Sequence, residues 1–517
     1  MTRGRLFNTI RNFSWRFLVL FTTAVANLII PRYIILIYGS EVNGLTTSIS
    51  RILTIVNLIQ AGLGSSVTYM MYKPIGDEDR VELASIIGSA RKVYQRISIT
   101  VSIIGTIASF VFAYVLKTDL KRDAVLIASL ITCIDSAAGT FFTAVPGIFL
   151  NAKQDGYLIS RISIICNFIG YALRILIIIF KPHYLTLFCA NIIISLINIV
   201  AVNNCYRRRY EPYRPTEKEC SLIHSVPIGG VSYAAANEAA HAVINGSVTV
   251  IISTIAGLKA SSVFGVYLIA ISCLNTVSNA IYSAVVPGYG SVAAENDMEK
   301  TNRIFEIYQF LLYALNALMY MCAAYLMLPF VQLYTAGVTD TEYSNKLLMI
   351  FVLMYGITSM SRIPYNNTVY VRGLFKETYL QPVICAAISL VLMVILTKID
   401  YTYTVLGPVF FYIMNTMYQH YKLPKIFPGF DNSRFWNHLM LIVVGVSISV
   451  TAYCIHPVVL PSFLSWIACA VVTGIISSVV LLMLMLFFDR KSMMLTADYL
   501  RERLLSKKEN NNGYSGS

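Results

Sequence analysis

Long apolar runs, separated by short polar loops, fill most of this sequence. A transmembrane helix needs about 20 mainly apolar residues to cross roughly 30 Å of hydrocarbon. Runs of that length predict fourteen membrane-spanning helices, at approximately 13–37, 44–71, 97–116, 123–148, 157–180, 184–205, 226–255, 262–288, 305–328, 347–370, 379–397, 403–421, 436–456 and 461–488. The runs are continuous and do not alternate over about ten residues, so they favour an α-helical bundle over a β-barrel.

The composition excludes a soluble protein. Of the 517 residues, 56% are hydrophobic and only 13% are charged, and the mean hydropathy is +0.65. So few charged side chains cannot cover the surface of several soluble cores. We therefore predict an all-α, polytopic membrane protein. Its ten cysteines stand singly and mostly inside apolar runs, without the spacing of a metal or redox site, so neither a metal nor a cofactor is expected.

Basic residues predict the orientation. With the N-terminus in the cytoplasm, most of the 40 Lys and Arg residues fall on the cytoplasmic side, including those of the 73–96 and 207–218 loops and the C-terminal tail. This bias predicts that both termini are cytoplasmic. Because these charges flank helices, no nucleic-acid partner is expected. The chain also lacks the GxxxxGK[ST] pattern of a phosphate-binding loop, so an ion or substrate gradient must drive any transport.

Two matches at nearly the same offset indicate an internal repeat. KQDGYLIS at 153–160 aligns with FKETYLQP at 375–382, an offset of 222, and Asn43-Gly44-Leu45 aligns with Phe264-Gly265-Val266, an offset of 221. Parallel repeats of six helices place substrate sites near mid-membrane. We predict two pseudo-symmetric six-helix lobes, at 1–212 and 213–430. Two additional transmembrane helices follow at 431–488, and a cytoplasmic tail at 489–517.

Two stretches of the chain carry a family resemblance. PRYIILIYGSEVNGLTTSI (31–49), followed by LIQAGLGSSVTYMMYKPIGDED (58–79), resembles the first two helices of Wzx-type polysaccharide flippases of the multidrug/oligosaccharidyl-lipid/polysaccharide exporter superfamily. GVYLIAISCLNTVSNAIYSAVVPGYGSVAAEND (265–297) is similar to that superfamily's eighth helix, with Pro287 and an acidic loop in their usual places. One departure is Gln60, which stands where many relatives carry an acidic residue before the Gly62-Leu63 pair.

The resemblance implies a function and a location. It implies export of undecaprenyl-pyrophosphate-linked oligosaccharide units across the bacterial cytoplasmic membrane, for surface polysaccharide biosynthesis. A polysaccharide polymerase and glycosyltransferases are then candidate partners, alongside membrane lipids.

Ionisable residues inside the predicted spans are the candidate site residues, because each costs about 2.5–3.5 kcal/mol at a helix centre. The deep ones are Arg51, Asp135, Arg174, Glu238, His241 and Arg362. Each lies on a stripe of polar residues spaced three or four apart, which marks one helix face. On the fifth helix the stripe comprises Ser160, Ser163, Asn167, Tyr171 and Arg174. Together the stripes predict a hydrated central cavity with more guanidinium than carboxylate.

Arginine chemistry predicts the ligand. The planar guanidinium fork matches phosphate or carboxylate oxygens, so an arginine-rich cavity suits an anionic, lipid-linked oligosaccharide. The predicted substrate-binding residues are Arg51, Arg174, Arg362, Asn167 and Tyr171. The alternative is structural, with each arginine paired to Asp135 or Glu238 as a link between helices.

Three other residues are candidates for ion coupling, namely Glu238, His241 and Asp135. Burial raises a carboxyl pKa and histidine titrates near neutrality, although Glu238 and His241 could instead form a structural hydrogen bond. The sequence thus predicts a non-enzymatic flippase that alternates access between two lobes. The alternatives are an ion-coupled multidrug exporter, disfavoured by the arginine excess, a scaffold of a glycan assembly complex, and a membrane-embedded glycosyltransferase, which would need larger loops.

Overall fold

The computed structural model describes residues 3–60, 63–180, 183–226, 233–294 and 297–513. Over these residues the chain folds into α-helices joined by short loops and 3-10 turns, and no strand occurs among them. The predicted all-α polytopic fold is confirmed. Gly62 of the Gly62-Leu63 pair and residues 295–296 of the acidic loop lie outside the described residues.

The first of two compact units, unit 1, comprises Met1–Gly265, Gly337–Thr341 and Val394–Thr404. Its helices are α1 (Arg3–Tyr38), α2 (Ser40–Val56), α3 (Leu63–Gly76), α4 (Arg80–Val115), α5 (Arg122–Ala152), α6 (Gly156–Phe180), α7 (Leu185–Tyr210), α8 (Tyr233–Ile255) and the first two turns of α9 (Leu258–Ala294). The principal pairs within it are α4 with α5, α5 with α7, α1 with α6, and α2 with α8.

Unit 2 comprises Val266–Ala336, Glu342–Met393 and Val405–Ser517. It holds the rest of α9 and most of α14, and its helices are α10 (Met298–Tyr334), α11 (Lys346–Ser361), α12 (Ile363–Arg372), α13 (Phe375–Thr378), α14 (Leu380–Thr397), α15 (Leu406–Ile426), α16 (Phe435–Ile455), α17 (Phe463–Phe488) and α18 (Arg490–Gly513). The long α10 packs against α16, α17 and α11. The division into repeats at residue 212 stays a prediction.

Twelve helices in the described part of the chain are long and apolar enough to cross a membrane, so the chain is a multi-pass membrane protein. They match twelve of the fourteen predicted spans. The other two predicted spans are also helical. The span at 44–71 is divided into α2 and α3 by a 3-10 turn at Asn57–Gln60, and the span at 403–421 is α15, whose buried face carries Asn415, Gln419 and His420.

The lipid-facing and protein-facing sides of the helices follow from burial. Large apolar side chains such as Phe168, Ile179 and Leu464 are exposed on the outside of single helices, as expected where hydrocarbon replaces water. The interior of unit 2 is unusually rich in tyrosine, with Tyr313 and Tyr365 fully buried. A buried tyrosine hydroxyl needs a hydrogen-bond partner, and that of Tyr313 donates to the carbonyl oxygen of Ser361 at 2.7 Å.

Candidate functional site

Arg174 lies in a polar cluster formed by three helices of unit 1. From α6, its Nη2 donates to Oδ1 of Asn191 on α7 at 2.8 Å. On α5, the carboxylate of Asp135 lies near the hydroxyl of Ser195 on α7 and is attracted by the charge of Arg174. Its Oδ1 is buried and accepts no hydrogen bond from the described residues. Arg174 therefore has both a polar and a charged neighbour inside unit 1.

The remaining predicted binding residues of α6 point towards α1. Asn167 donates from Nδ2 to Oγ1 of Thr23 at 3.5 Å. Tyr171 packs against an apolar cluster that includes Ala26 and Ile30. Both side chains are half-buried, so they contact protein and line the seam between α1 and α6. The polar residues of α6 therefore contact two neighbouring helices, α1 and α7.

Arg51 is in a different situation from Arg174. It is half-buried on α2, and within the described part of the chain no hydrogen bond or ion pair engages its guanidinium. The backbone around it is closely packed, because a Cβ added at Gly246 on α8 would lie 3.3 Å from the carbonyl oxygen of Arg51 and 2.7 Å from the side chain of Ile55. The backbone of α2 is therefore closely packed at this point, whereas none of the described residues engages the guanidinium.

Arg362 stands at a break between two helices of unit 2. α11 ends at Ser361 and α12 begins at Ile363, and Pro364 lacks the N–H that would continue the ladder of hydrogen bonds. The guanidinium carbon lies 5.5 Å from the ring centroid of Tyr412. Its Nε is buried and has no hydrogen-bond partner among the residues that the structure describes.

A second break interrupts the predicted second span of unit 1. In the turn between α2 and α3, Asn57 donates from Nδ2 to the hydroxyl of Ser136 on α5 at 2.9 Å. Gln60 donates from Nε2 to Oγ1 of Thr140 at 3.5 Å. Gln60 therefore serves here as an uncharged link between the turn and α5.

The predicted coupling residues of α8 differ in burial. The side chain of His241 is only 3% exposed, whereas Glu238 is exposed. Thr249, two turns further along the same predicted stripe, is fully buried. Arg51, Glu238 and His241 lie on α2 and α8, two helices that pack together in unit 1, while Asp135 lies with Arg174 in the cluster formed by α5, α6 and α7.

Comparison with known proteins identifies the fold. No family model and no curated protein matches this chain. A solved structure of the lipid II flippase MurJ in an inward closed conformation is similar to it, with a TM-score of 0.61 and 13% sequence identity, covering 94% of this chain and 99% of that one. An inward-facing multidrug resistance MATE family transporter of the MOP superfamily also gives a TM-score of 0.61, with 11% identity, covering 84% and 96%. The chain shares the fold of these two structures. A MATE structure in complex with MaL6 matches with a TM-score of 0.52 and 10% identity, covering 81% and 96%.

Unit 2 contains a buried polar network that the sequence did not indicate. His438 on α16 places Nε2 2.7 Å from Oδ2 of Asp489, and both side chains are fully buried. Nδ1 of His438 lies 3.1 Å from Oε1 of Gln309 on α10, and the hydroxyl of Ser492 donates to Oε1 of Glu306 at 2.7 Å. Burial would raise the pKa of Asp489, but its hydrogen bond with His438 and the charge of that residue hold the pKa below its ordinary value.

The network lies at the junction between α17 and α18. Asp489 follows the last residue of α17 and precedes α18, and its Oδ1 accepts the N–H of Ser492 in the first turn of α18 at 3.3 Å. The network therefore ties the start of α18 to α10 and α16. Sequence reasoning missed it because His438 and Asp489 are 51 residues apart and share no periodic stripe.

Proposed function

We propose that this chain is a membrane transporter that exports an anionic, lipid-linked oligosaccharide for surface polysaccharide biosynthesis. The MOP fold supports transport as the general activity. The Wzx-type sequence stretches support an undecaprenyl-pyrophosphate carrier as the lipid-linked group. We place the protein in the bacterial cytoplasmic membrane, with both termini in the cytoplasm and with glycosyltransferases and a polymerase as partners.

The observation that carries the proposal is the guanidinium of Arg51. A cation held at intramembrane depth is expensive unless it is paired or hydrated, and Arg51 makes no hydrogen bond or ion pair within the described residues. A phosphate or carboxylate would supply the missing counter-charge through two parallel hydrogen bonds. Arg362, with its buried Nε, offers a similar donor in unit 2.

The second candidate function is a multidrug exporter. The TM-scores to the MurJ flippase and to the MATE transporter are both 0.61, so similarity of fold does not discriminate between a lipid-linked and a drug-like substrate. The charge of the candidate site does discriminate between these substrates. An organic cation needs a site with acidic and aromatic side chains, whereas the guanidinium groups of Arg51 and Arg362 are cationic. Tyr412, beside Arg362, is an aromatic side chain that would suit a cation.

The direct test is ligand binding by the protein in lipid nanodiscs. The probes are an isoprenoid pyrophosphate, the corresponding uncharged isoprenol and an aromatic organic cation. We expect the pyrophosphate to bind and Arg51→Ala to weaken it about ten- to a hundredfold, which is the effect of losing one charge-assisted hydrogen bond. Arg51→Lys should give a smaller defect, because it keeps the charge and loses the fork.

The matched control is Arg161→Ala, since Arg161 is an exposed arginine on α6 whose guanidinium lies 5.5 Å from the ring centroid of Trp15. Its removal should leave pyrophosphate affinity unchanged. Binding of the organic cation in preference to the pyrophosphate would refute the proposal and favour a multidrug exporter. Equal binding of pyrophosphate and isoprenol would show that the arginines do not recognise the head group.

For energy coupling we propose that Glu238, with His241 and Asp135, exchanges a proton or cation during transport. Glu238 is exposed on α8 one turn from the buried His241, so a proton can reach it from water. Glu238→Gln should make export independent of the ion gradient while leaving pyrophosphate binding intact. Gradient dependence equal to that of the wild-type protein would remove Glu238 from the mechanism.

A further inference from the structure

Two outer loops of the chain carry the same dipeptide at the offset of the internal repeat. Thr118-Asp119 lies in the loop between α4 and α5, and Thr339-Asp340 lies in the loop between α10 and α11. The offset is 221, the same as that of the Asn43-Gly44-Leu45 match. Counted in predicted spans, α4 and α10 are the third helices of their halves, so the loops occupy equivalent places. Both loops lie on the outer side in the predicted orientation.

Each loop reaches the first turn of the second helix of the other half. Asp340 contacts Ser40, the first residue of α2, and the carboxylate of Asp119 lies 3.7 Å from Nζ of Lys259 at the start of α9. The two target helices begin alike, because Gly39 has φ 87° and Gly257 has φ 98°, a left-handed conformation that glycine adopts freely. All of these residues belong to unit 1. The contacts are therefore crossed between the two repeats.

The Asp340 contact is the stronger of the two. Its Oδ2 accepts the backbone N–H of Ser40 at 2.8 Å and its Oδ1 accepts the Ser40 hydroxyl at 2.7 Å. A helix N-terminus needs such an acceptor, and Gly39, at the N-cap position, has no side chain to supply one. Asp340 thus caps α2 from a distance of 300 residues along the chain, and its negative charge is favourable at the positive end of the helix.

The Asp119 contact is weaker because it is solvated. In its ion pair with Lys259 the two side chains are 88% and 44% exposed, and exposed pairs contribute little. The loop is also held by Glu41, which accepts hydrogen bonds from the hydroxyl of Thr118 at 2.7 Å and from the N–H of Asp119 at 3.1 Å. These bonds do not depend on the Asp119 side chain.

Beneath the loops, small polar residues close the seam between α2 and the start of α9. Asn43 donates from Nδ2 to the hydroxyl of Ser262 at 2.8 Å, and the hydroxyls of Ser48 and Ser261 lie 3.0 Å apart. All four side chains are buried. A seam of this kind excludes water only while the first turn of α2 stays in place.

We propose that the two Thr-Asp loops are crossed straps of the internal repeat, and that the Asp340 strap must release Ser40 before the outer end of α2 can move. The strap holds this seam closed from the outside. Its consequence for export rests on the proposed transport function, whereas its effect on water access to α2 does not depend on the substrate.

The first test measures labelling from outside the cell. In a variant without native cysteines, a reporter Thr47→Cys on α2 is exposed to a membrane-impermeant maleimide. Asp340→Ala should raise the labelling rate about five- to thirtyfold, the shift expected for loss of one helix cap, and Asp340→Asn should raise it less. The matched control is Asp119→Ala, which should change the rate less than twofold. Unchanged labelling in Asp340→Ala, or an equal rise in the control, would overturn the proposal.

The second test does not depend on the folding of Asp340→Ala. In the same cysteine-free background, Ser40→Cys combined with Asp340→Cys should form a disulfide under oxidant, stop export, and recover when reduced. Each cysteine alone should be insensitive to oxidant. A fully cross-linked protein that still exports would refute release of the strap. If no export of a lipid-linked substrate is found in any variant, the function proposal fails, while the labelling result still decides whether the strap exists.

Discussion

Replacing Arg174 with Ala separates a structural arginine from a ligand-binding one. Arg174 donates to Asn191 at 2.8 Å, and its positive charge attracts the carboxylate of Asp135. The variant leaves Asp135 without that charge. Both side chains are half-buried, so the loss should cost about 1–3 kcal/mol, the penalty typical of a polar group that loses its partner. We expect Arg174→Ala to unfold in detergent at a markedly lower temperature than the wild-type protein.

The double variant makes this reasoning quantitative. Arg174→Ala with Asp135→Asn removes both charges, so most of the lost stability should return, and the coupling energy follows from the four midpoints of a double-mutant cycle. The contrasting variant is Arg51→Ala, whose arginine has no partner among the described residues and whose loss should cost less than about 1 kcal/mol. A stable Arg174→Ala protein with additive effects would refute the structural assignment and return Arg174 to the head-group site.

Three further predictions concern packing, pH and orientation. Gly44→Ala should destabilise the protein by about 1–3 kcal/mol, because the new Cβ would lie 2.0 Å from the carbonyl oxygen of Leu258. The control is Gly139→Ala, whose Cβ would have nothing within 4 Å. It should be neutral or slightly stabilising when both variants are compared by thermal unfolding in detergent. Because the pKa of Asp489 lies below its ordinary value, this carboxylate stabilises the fold fully above about pH 4 and loses that effect as pH falls through the lowered pKa. Asp489→Asn should therefore flatten this part of the acid-unfolding curve, and an unchanged curve would contradict the prediction. Reporter fusions should place the 117–122 loop outside and the C-terminus in the cytoplasm, and an external C-terminus would contradict the predicted orientation.

The sequence suggested which residues belong to the candidate site, but it did not predict which side chains each of them contacts. Counting ionisable residues in apolar runs identified Arg51, Arg174 and Arg362 without distinguishing between them. The structure distinguishes them by their partners: Arg174 meets Asn191 and Asp135, Arg362 lies beside Tyr412 at a helix break, and Arg51 has no such partner in the described part. The assignment of binding and coupling roles stays a prediction.

The apolar runs of the sequence were sufficient to predict which segments cross the membrane. The free energy of transferring a residue to hydrocarbon is local and nearly additive along a run, so each apolar stretch could be assigned separately. The two stretches that do not qualify as single apolar helices contain the turn at Asn57–Gln60 or the polar face of α15. The excess of arginine over carboxylate residues inside the apolar runs was also visible in the sequence.

The contacts between polar side chains could be seen only in the three-dimensional packing of the helices. The cap of Asp340 on Ser40, the buried pair of His438 with Asp489 and the cluster around Arg174 join residues from different helices. Such pairs depend on the packing of whole helices, because a polar group in a non-aqueous interior must find its partner wherever the fold brings one within about 3 Å. The periodicity of polar residues along one helix does not predict which residue of another helix lies within this distance.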